Sequence, residues 1–169
     1  MIGRVFTHIG KGKIIRDRLR NTRNIIYGAR AMNMQLPFMF YKQTKDYDIY
    51  SKSPRRNAIQ LERLLDDSSG EDSYYTQRAL HRGTWKVMDK GYDNIKGTED
   101  DFGIVDVTRP TRRIRTININ GIRYAHLSER VKDAKRSLKN PIYAFRHEKD
   151  RKDLWRINQG RKLRGLFKW

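Results

Sequence analysis

The stretch that most constrains the fold of this chain is Asp-Tyr-Asp-Ile-Tyr at residues 46–50, followed by a Ser-Pro pair at residues 53–54. On a β-strand, side chains two residues apart point to the same face, so Asp46 and Asp48 would aim two carboxylates at one point. The serine is a good N-cap, and the proline suits the first helical position. The sequence therefore predicts a strand with an acidic end that leads into a helix.

Short strand and helix patterns fill the rest of the chain. We predict further strands over residues 24–27, 84–88, 102–107, 114–119 and 122–126. We predict further helices over residues 29–36, from Ser128, and from Pro141 to Asn158. The aromatic connector at residues 38–41 is predicted to be core, and residues 66–74 are predicted to be a polar loop. These elements indicate an α+β fold.

Composition excludes several classes of site. The chain has 169 residues, which suggests one domain with appendages, and its 37% hydrophobic content is enough for a modest core. It has no cysteine, so disulfides and thiolate zinc sites are excluded, and the four scattered histidines do not favour zinc. No apolar run reaches membrane-spanning length and no signal peptide is recognisable, so we expect no membrane association.

Positive charge is concentrated at the two ends of the chain. The formal net charge is +19, and residues 1–36 and 137–169 contribute +7 each. Neutralising phosphates releases counterions, so a polyanion, DNA or RNA, is the expected partner. The plainer alternative is a basic surface that only keeps the protein soluble. Because free basic termini are usually disordered, we also expect that protein partners in a large assembly could order them.

Three further residues complete a candidate site. Asp106 lies within a β-branched strand pattern, where a charge is costly unless it binds something. Gly28 and Ala29 stand where a strand ends and a helix begins, and such a turn offers free backbone N–H groups to a phosphate. With Asp46 and Asp48, these residues are the parts of a Mg²⁺-dependent phosphoryl or nucleotidyl transfer site.

The segments at residues 27–33 (YGARAMN) and 43–49 (QTKDYDI) resemble the signature of the nucleotidyltransferase superfamily typified by DNA polymerase β. The closest match is to small prokaryotic and phage-borne domains related to toxin–antitoxin nucleotidyltransferases. Residues 120–127 and 146–154 are similar to later motifs of those domains. The resemblance implies a nucleotidyltransferase-like domain over residues 24–158, with a mixed β-sheet flanked by helices, between a basic arm (1–23) and a basic tail (159–169).

The resemblance also implies the site residues. Asp46, Asp48 and Asp106 would hold two Mg²⁺ ions and act in catalysis, while Gly28 and Ala29 would bind the phosphates of an NTP. Ala29 departs from the family pattern, which has serine or glycine there.

Four more residues are implied around this centre. Arg30, Thr44 and Lys149 would bind the nucleotide, with Thr44 supporting the strand end and Asp150 lining the back of the site. Lys42 replaces an arginine of the family pattern. Asp150 also has a purely structural interpretation, because Arg146, Asp150 and Asp153 share one helical stripe and could form an ion-pair ladder.

Three functions fit the sequence. The first is an enzyme that transfers a nucleoside monophosphate from an NTP to an acceptor, for which a nucleic acid is one candidate, in the cytoplasm of a host cell. The second is a catalytically degenerate nucleotidyltransferase fold that serves as a basic component of a phage virion or another assembly, anchored by Trp155, Phe167 and Trp169. The third, a ribosome-like RNA-binding protein, explains the charge but not the aspartates.

Overall fold

The structure, a computed structural model, describes the backbone of residues 3–166 and the side chains of residues 10–165. The helices are α1 (Gly3–Leu19), α2 (Gly28–Asn33), α3 (Pro54–Ser69), α4 (Leu127–Leu138) and α5 (His147–Leu166), with 3-10 turns at Phe38–Phe40 and Pro141–Arg146. The strands are β1 (Ile25–Tyr27), β2 (Tyr47–Tyr50), β3 (Tyr74–Arg78), β4 (Thr84–Asp89), β5 (Phe102–Thr108), β6 (Thr116–Ile119) and β7 (Ile122–Ala125).

All seven strands form one mixed sheet in the order β3-β4-β5-β2-β1-β7-β6. β2 runs parallel to β5 and β1 runs parallel to β7, while the other neighbours are antiparallel. The predicted α+β fold with a mixed sheet flanked by helices is confirmed. Parallel neighbouring strands must be joined by long crossover connections. Strands that are distant in the sequence therefore lie side by side in the middle of the sheet.

One face of the sheet carries the main core. Alternate residues of the central strands are fully buried there, among them Ile49, Val105 and Val107 at 0% exposure. α1 and α3 cover this face with apolar stripes that include Ile15 and Leu61. Because side chains alternate along a strand, the residues between the buried ones must point to the opposite face.

The segment interpreted as a basic arm is largely helical. α1 begins at Gly3, and its last turns bury Ile15 and Leu19 in the main core. At the other end, α5 continues through the predicted basic tail as far as Leu166. α5 therefore extends past the boundary at residue 159, whereas α1 lies within residues 1–23. The domain boundaries themselves stay a prediction. Phe167 and Trp169 lie outside the described residues.

Two local predictions were wrong. The polar loop predicted at residues 66–74 is too long at both ends, because α3 continues to Ser69 and β3, which was not predicted, begins at Tyr74. The connector at residues 38–41 is not core, because Phe38 and Met39 are 77% and 60% exposed and Tyr41 is also exposed. Only Phe40 turns inward, where its ring meets Trp155 edge-on at 6.1 Å between centroids. Within residues 3–166, no helix is both long and apolar enough to cross a membrane.

Candidate functional site

The sheet face opposite the main core forms one wall of an open cleft of about 1080 Å³. The other wall comes from α4, the Pro141–Arg146 turn and the start of α5. The cleft is lined by seven of the predicted site residues and not by Arg30. Those that line it are Gly28, Ala29, Thr44, Asp46, Asp48, Asp106 and Lys149.

Strand register brings two of the predicted aspartates side by side. Asp48 of β2 is the direct partner of Asp106 of β5, and on its other side Asp48 is paired with Tyr27 of β1. Their strand neighbours, such as Ile49 and Val105, are buried in the core, so both carboxylates belong to the cleft face. The structure therefore places Asp48 and Asp106, from separate strands, side by side on the cleft face.

Gly28 is required where it stands. Its φ of +68° is in the left-handed region that favours glycine, and a Cβ at this position would lie 2.0 Å from Oδ2 of Asp48. The end of β1 therefore turns into α2 directly against the Asp48 carboxylate. No other residue type allows the backbone to approach the acid this closely.

The acidic wall is only partly compensated by cations. Burial, followed by the charges of Asp46 and Asp106, raises the pKa of Asp48 to about 6. Burial also raises the pKa of Asp106, although Lys86, whose Nζ lies 3.5 Å from Oδ1 of Asp106, opposes that shift. The repulsion between crowded carboxylates would be relieved by an added cation or a proton.

The donor set of this wall suits Mg²⁺, which prefers carboxylate oxygens. Among the side chains of residues 10–165, however, no three acidic or histidine groups lie together as a ready-made metal site. Asp46 accepts a hydrogen bond from Thr44 at 2.6 Å, and Asp106 pairs with Lys86. The chemistry of the residues therefore fits a divalent cation, while two of the three acids are engaged with neighbours of the chain itself.

Comparison with known structures identifies the fold. The chain superposes on the Megavirus polyadenylate synthase with a TM-score of 0.75 at 21% sequence identity, over 95% of this chain. The chain has the nucleotidyltransferase fold. It spans only about a third of the polyadenylate synthase, 32% of that chain.

Weaker structural likenesses involve two structures from Helicobacter pylori. These are JHP933 and a protein provisionally described as a nucleotidyltransferase, each with a TM-score of 0.47, 12% identity and 75% of this chain covered, over 55% and 57% of their lengths. No protein-family model matches the sequence, and no curated protein matches it significantly. The narrower resemblance to toxin–antitoxin domains stays a prediction.

Two predicted residues support the acidic strand of this nucleotidyltransferase fold. The Arg30 guanidinium donates to the backbone oxygen of Asp46 at 2.7 Å and stacks over the Tyr47 ring at 3.7 Å. It therefore holds β2 in place from behind the cleft. Thr44 does the same from within the cleft, through its bond to the Asp46 carboxylate.

The helical wall presents Lys149 but not Asp150. Lys149 lines the cleft and is close enough to lower the pKa of Asp48. Asp150 is 0% exposed and accepts hydrogen bonds from Arg130 at 2.5 Å and Arg146 at 3.2 Å. Asp150 is thus part of a buried ion-pair network, as its structural interpretation proposed, and does not line the cleft.

Sequence reasoning missed several residues of the site. Arg130 reaches from α4 and also bonds Asp153 at 2.7 Å. Lys86 enters only because β4 pairs with β5 in a register that sets it opposite Asp106. Tyr27 and Tyr50 stack at 3.8 Å between ring centroids on the cleft face. Strand pairing would have revealed Lys86, but no local pattern marks Arg130.

Proposed function

We propose that this chain transfers a nucleoside monophosphate from an NTP to a hydroxyl at the end of an RNA acceptor. The acceptor oxygen would form a bond to the α-phosphorus as the bond to the β-phosphate oxygen breaks, which releases pyrophosphate. The observation that carries this proposal is the pair Asp48 and Asp106, adjacent on parallel strands and bordered by the side-chain-free turn at Gly28. The polyadenylate synthase with the same fold supports RNA as the acceptor.

The residues divide into three roles. Two Mg²⁺ ions held by Asp46, Asp48 and Asp106 would neutralise the triphosphate and acidify the acceptor hydroxyl. The backbone at Gly28 leaves room for phosphates beside the acids, because no Cβ projects into that space. Lys149, on the facing wall, supplies a positive charge to phosphate oxygens.

The test is transfer of labelled NTP to an RNA oligonucleotide in the presence of Mg²⁺. Asp48→Asn removes the central carboxylate and should lower the transfer rate roughly a hundredfold or more, since metal-held charge stabilisation is worth several kcal/mol. Asp67→Asn makes the same chemical change on the exposed surface of α3 and should leave the rate unchanged. Equal signals from wild type and Asp48→Asn would overturn the proposal.

The ion pair of Lys86 with Asp106 favours a second candidate function. A lysine ammonium beside this acid could stand in for a bound cation, leaving a degenerate fold that acts as a basic component of a virion or another assembly with protein partners. Under this alternative, wild type shows no Mg²⁺-dependent NTP binding, and Lys86→Gln, which removes the internal cation, restores it. Mg²⁺-dependent NTP binding by wild type would exclude the alternative.

A further inference from the structure

The connection between β5 and β6 is rich in arginine. Residues 109–115 read R-P-T-R-R-I-R, so four guanidinium groups occur within seven residues. Arg109 lines the cleft, whereas Arg113 and Arg115 line a second hollow of about 470 Å³. Both of these last two side chains are exposed, and within residues 10–165 neither forms an ion pair with a carboxylate. Their charge is therefore available to a ligand.

Four of the seven residues that line the second hollow are basic. Besides Arg113 and Arg115, the basic residues Arg123 and Lys132 line it. Its acid, Glu129, is buried and already paired.

Two cations hold the Glu129 charge. Arg112 donates a short hydrogen bond to Glu129, and Lys132 donates another at 3.2 Å. Burial acts to raise the pKa of Glu129, but these bonds outweigh it and keep that pKa below its ordinary value. Glu129 therefore stays ionised with its charge compensated, and it would not repel a phosphate in the hollow.

The hollow adjoins the cleft. Ile114 and Glu129 line both cavities, so the hollow and the cleft share one wall. Arg109 and Arg136 are among the basic residues that line the cleft. A flexible polyanion lying in the hollow could thus extend its end into the adjoining cleft.

We propose that this basic hollow, formed by Arg113, Arg115, Arg123 and Lys132, binds the backbone phosphates of a single-stranded acceptor whose end lies in the cleft. The inference rests on the proposed transfer function and adds the class of acceptor. An arginine guanidinium group can donate two parallel hydrogen bonds to phosphate oxygens, and such contacts give affinity without base specificity. A duplex is stiff over many base pairs and cannot bend from a small hollow into a neighbouring cleft, whereas a single strand can.

The experiment measures binding of a fluorescent single-stranded RNA oligonucleotide by the full chain over a range of salt concentrations. Arg113→Gln with Arg115→Gln should weaken binding roughly tenfold and reduce the slope of log K against log salt by about 1.4, because each phosphate that is no longer neutralised lowers that slope by about 0.7. Arg56→Gln with Arg63→Gln removes the same charge from the exposed surface of α3 and should change neither. Arg113→Lys with Arg115→Lys keeps the charge and should retain the slope.

Several outcomes would overturn the inference. These are unchanged binding by the Arg113 and Arg115 variant, an equal loss in the α3 control, equal binding of a duplex of the same sequence, or binding of poly-glutamate in place of RNA. Failure of the transfer function is distinguishable, because transfer is measured with labelled NTP and the Asp48→Asn variant, whereas occupancy of the hollow is measured as RNA affinity in the absence of NTP. Hollow-dependent RNA binding by a wild type without transfer would contradict the enzyme and leave the RNA site standing.

Discussion

Buried carboxylates in the two walls of the cleft have pKa values that are shifted in opposite directions. On the sheet wall, burial and the neighbouring acids raise the pKa of Asp48 to about 6. On the helical wall, burial acts in the same direction on Asp150, yet hydrogen bonds that include those of Arg130 and Arg146 outweigh it and hold the pKa of Asp150 below its ordinary value. Desolvation is common to both walls, so the difference lies in whether the chain itself supplies the cation.

This difference separates a structural acid from an acid that awaits a ligand. Asp150 and Asp153 are bound to arginines from two helices, so their charges join α4 to α5. Among charged groups, the acids Asp46 and Asp106 act most strongly on the pKa of Asp48, and the cations Lys149 and Arg30 only moderate it. Perturbed carboxylates of the second kind are typical of functional sites.

The largest expected effect comes from removing the cation of the helical wall. Arg130→Leu leaves Asp150 and Asp153 buried without their main partner, and it should lower the free energy of unfolding by about 3–5 kcal/mol in denaturant titrations. Arg136→Leu, on the same helix, breaks the exposed pair with Asp133 and should cost no more than about 1 kcal/mol. Equal costs for the two variants would contradict the structural role of the buried network.

A smaller effect should appear as pH dependence of the sheet wall without metal. The folded pKa of Asp48, about 6, is above the ordinary value of 3.8, so the folded state binds this proton more tightly than the unfolded state. The contribution of Asp48 to the free energy of unfolding in EDTA should therefore be largest below about pH 4 and fall by up to about 3 kcal/mol as pH rises through 6. Asp48→Asn should remove this fall.

The helical wall titrates in a separate window, which keeps the two contributions apart. Because the pKa of Asp150 is lowered, its stabilisation is present above about pH 4 and is lost only as pH falls further. Asp67→Asn serves as the control for the loss of one carboxylate. A difference between wild type and Asp48→Asn that does not vary from pH 4 to pH 7 would refute the assignment of the raised pKa to Asp48.

The sheet wall could be predicted from the sequence much better than the helical wall. Alternation along the strands and the glycine turn identify each of these residues from its own segment: Asp46, Asp48, Asp106 and Gly28. The family resemblance then predicts that they lie together in one site. Arg130 could not be predicted, because its bond to Asp150 joins residues 20 positions apart on different helices. The spacing of side chains within one helix predicts only which residues of that helix lie on the same face, and not their contacts with another helix.

Two segments show where tertiary packing outweighs the local sequence pattern. Glycines at residues 10 and 12 argue against a helix in α1, yet burial of Ile15 and Leu19 in the core outweighs their low helix propensity. Conversely, apolar composition at residues 38–41 indicates core, but a 3-10 turn of three residues cannot direct every side chain inward. Phe40 therefore packs and Phe38 remains exposed.

The smallest expected effect concerns the turn at Gly28, which lies against the Asp48 carboxylate. Comparison of Gly28 with a second glycine isolates the energetic cost of this close approach. Gly28 and Gly70 have nearly the same φ, +68° and +71°, but a Cβ at Gly70 would meet nothing within 4 Å. Each substitution by alanine should cost about 1–2 kcal/mol for left-handed backbone. Gly28→Ala should cost about 1 kcal/mol more, because its methyl group must displace the Asp48 carboxylate. Thermal unfolding of both variants measures that difference.

A double variant identifies the source of the extra cost. With Asp48→Ala in the background, the nearest Asp48 atom left to the new Gly28→Ala methyl group is Cβ, 3.4 Å away, which is an ordinary contact. The excess over Gly70→Ala should then disappear, since neighbouring substitutions couple only through the atoms that they share. If the extra cost of Gly28→Ala persists without the carboxylate, its cause is not the contact with Asp48. The requirement for glycine at this turn then has another source.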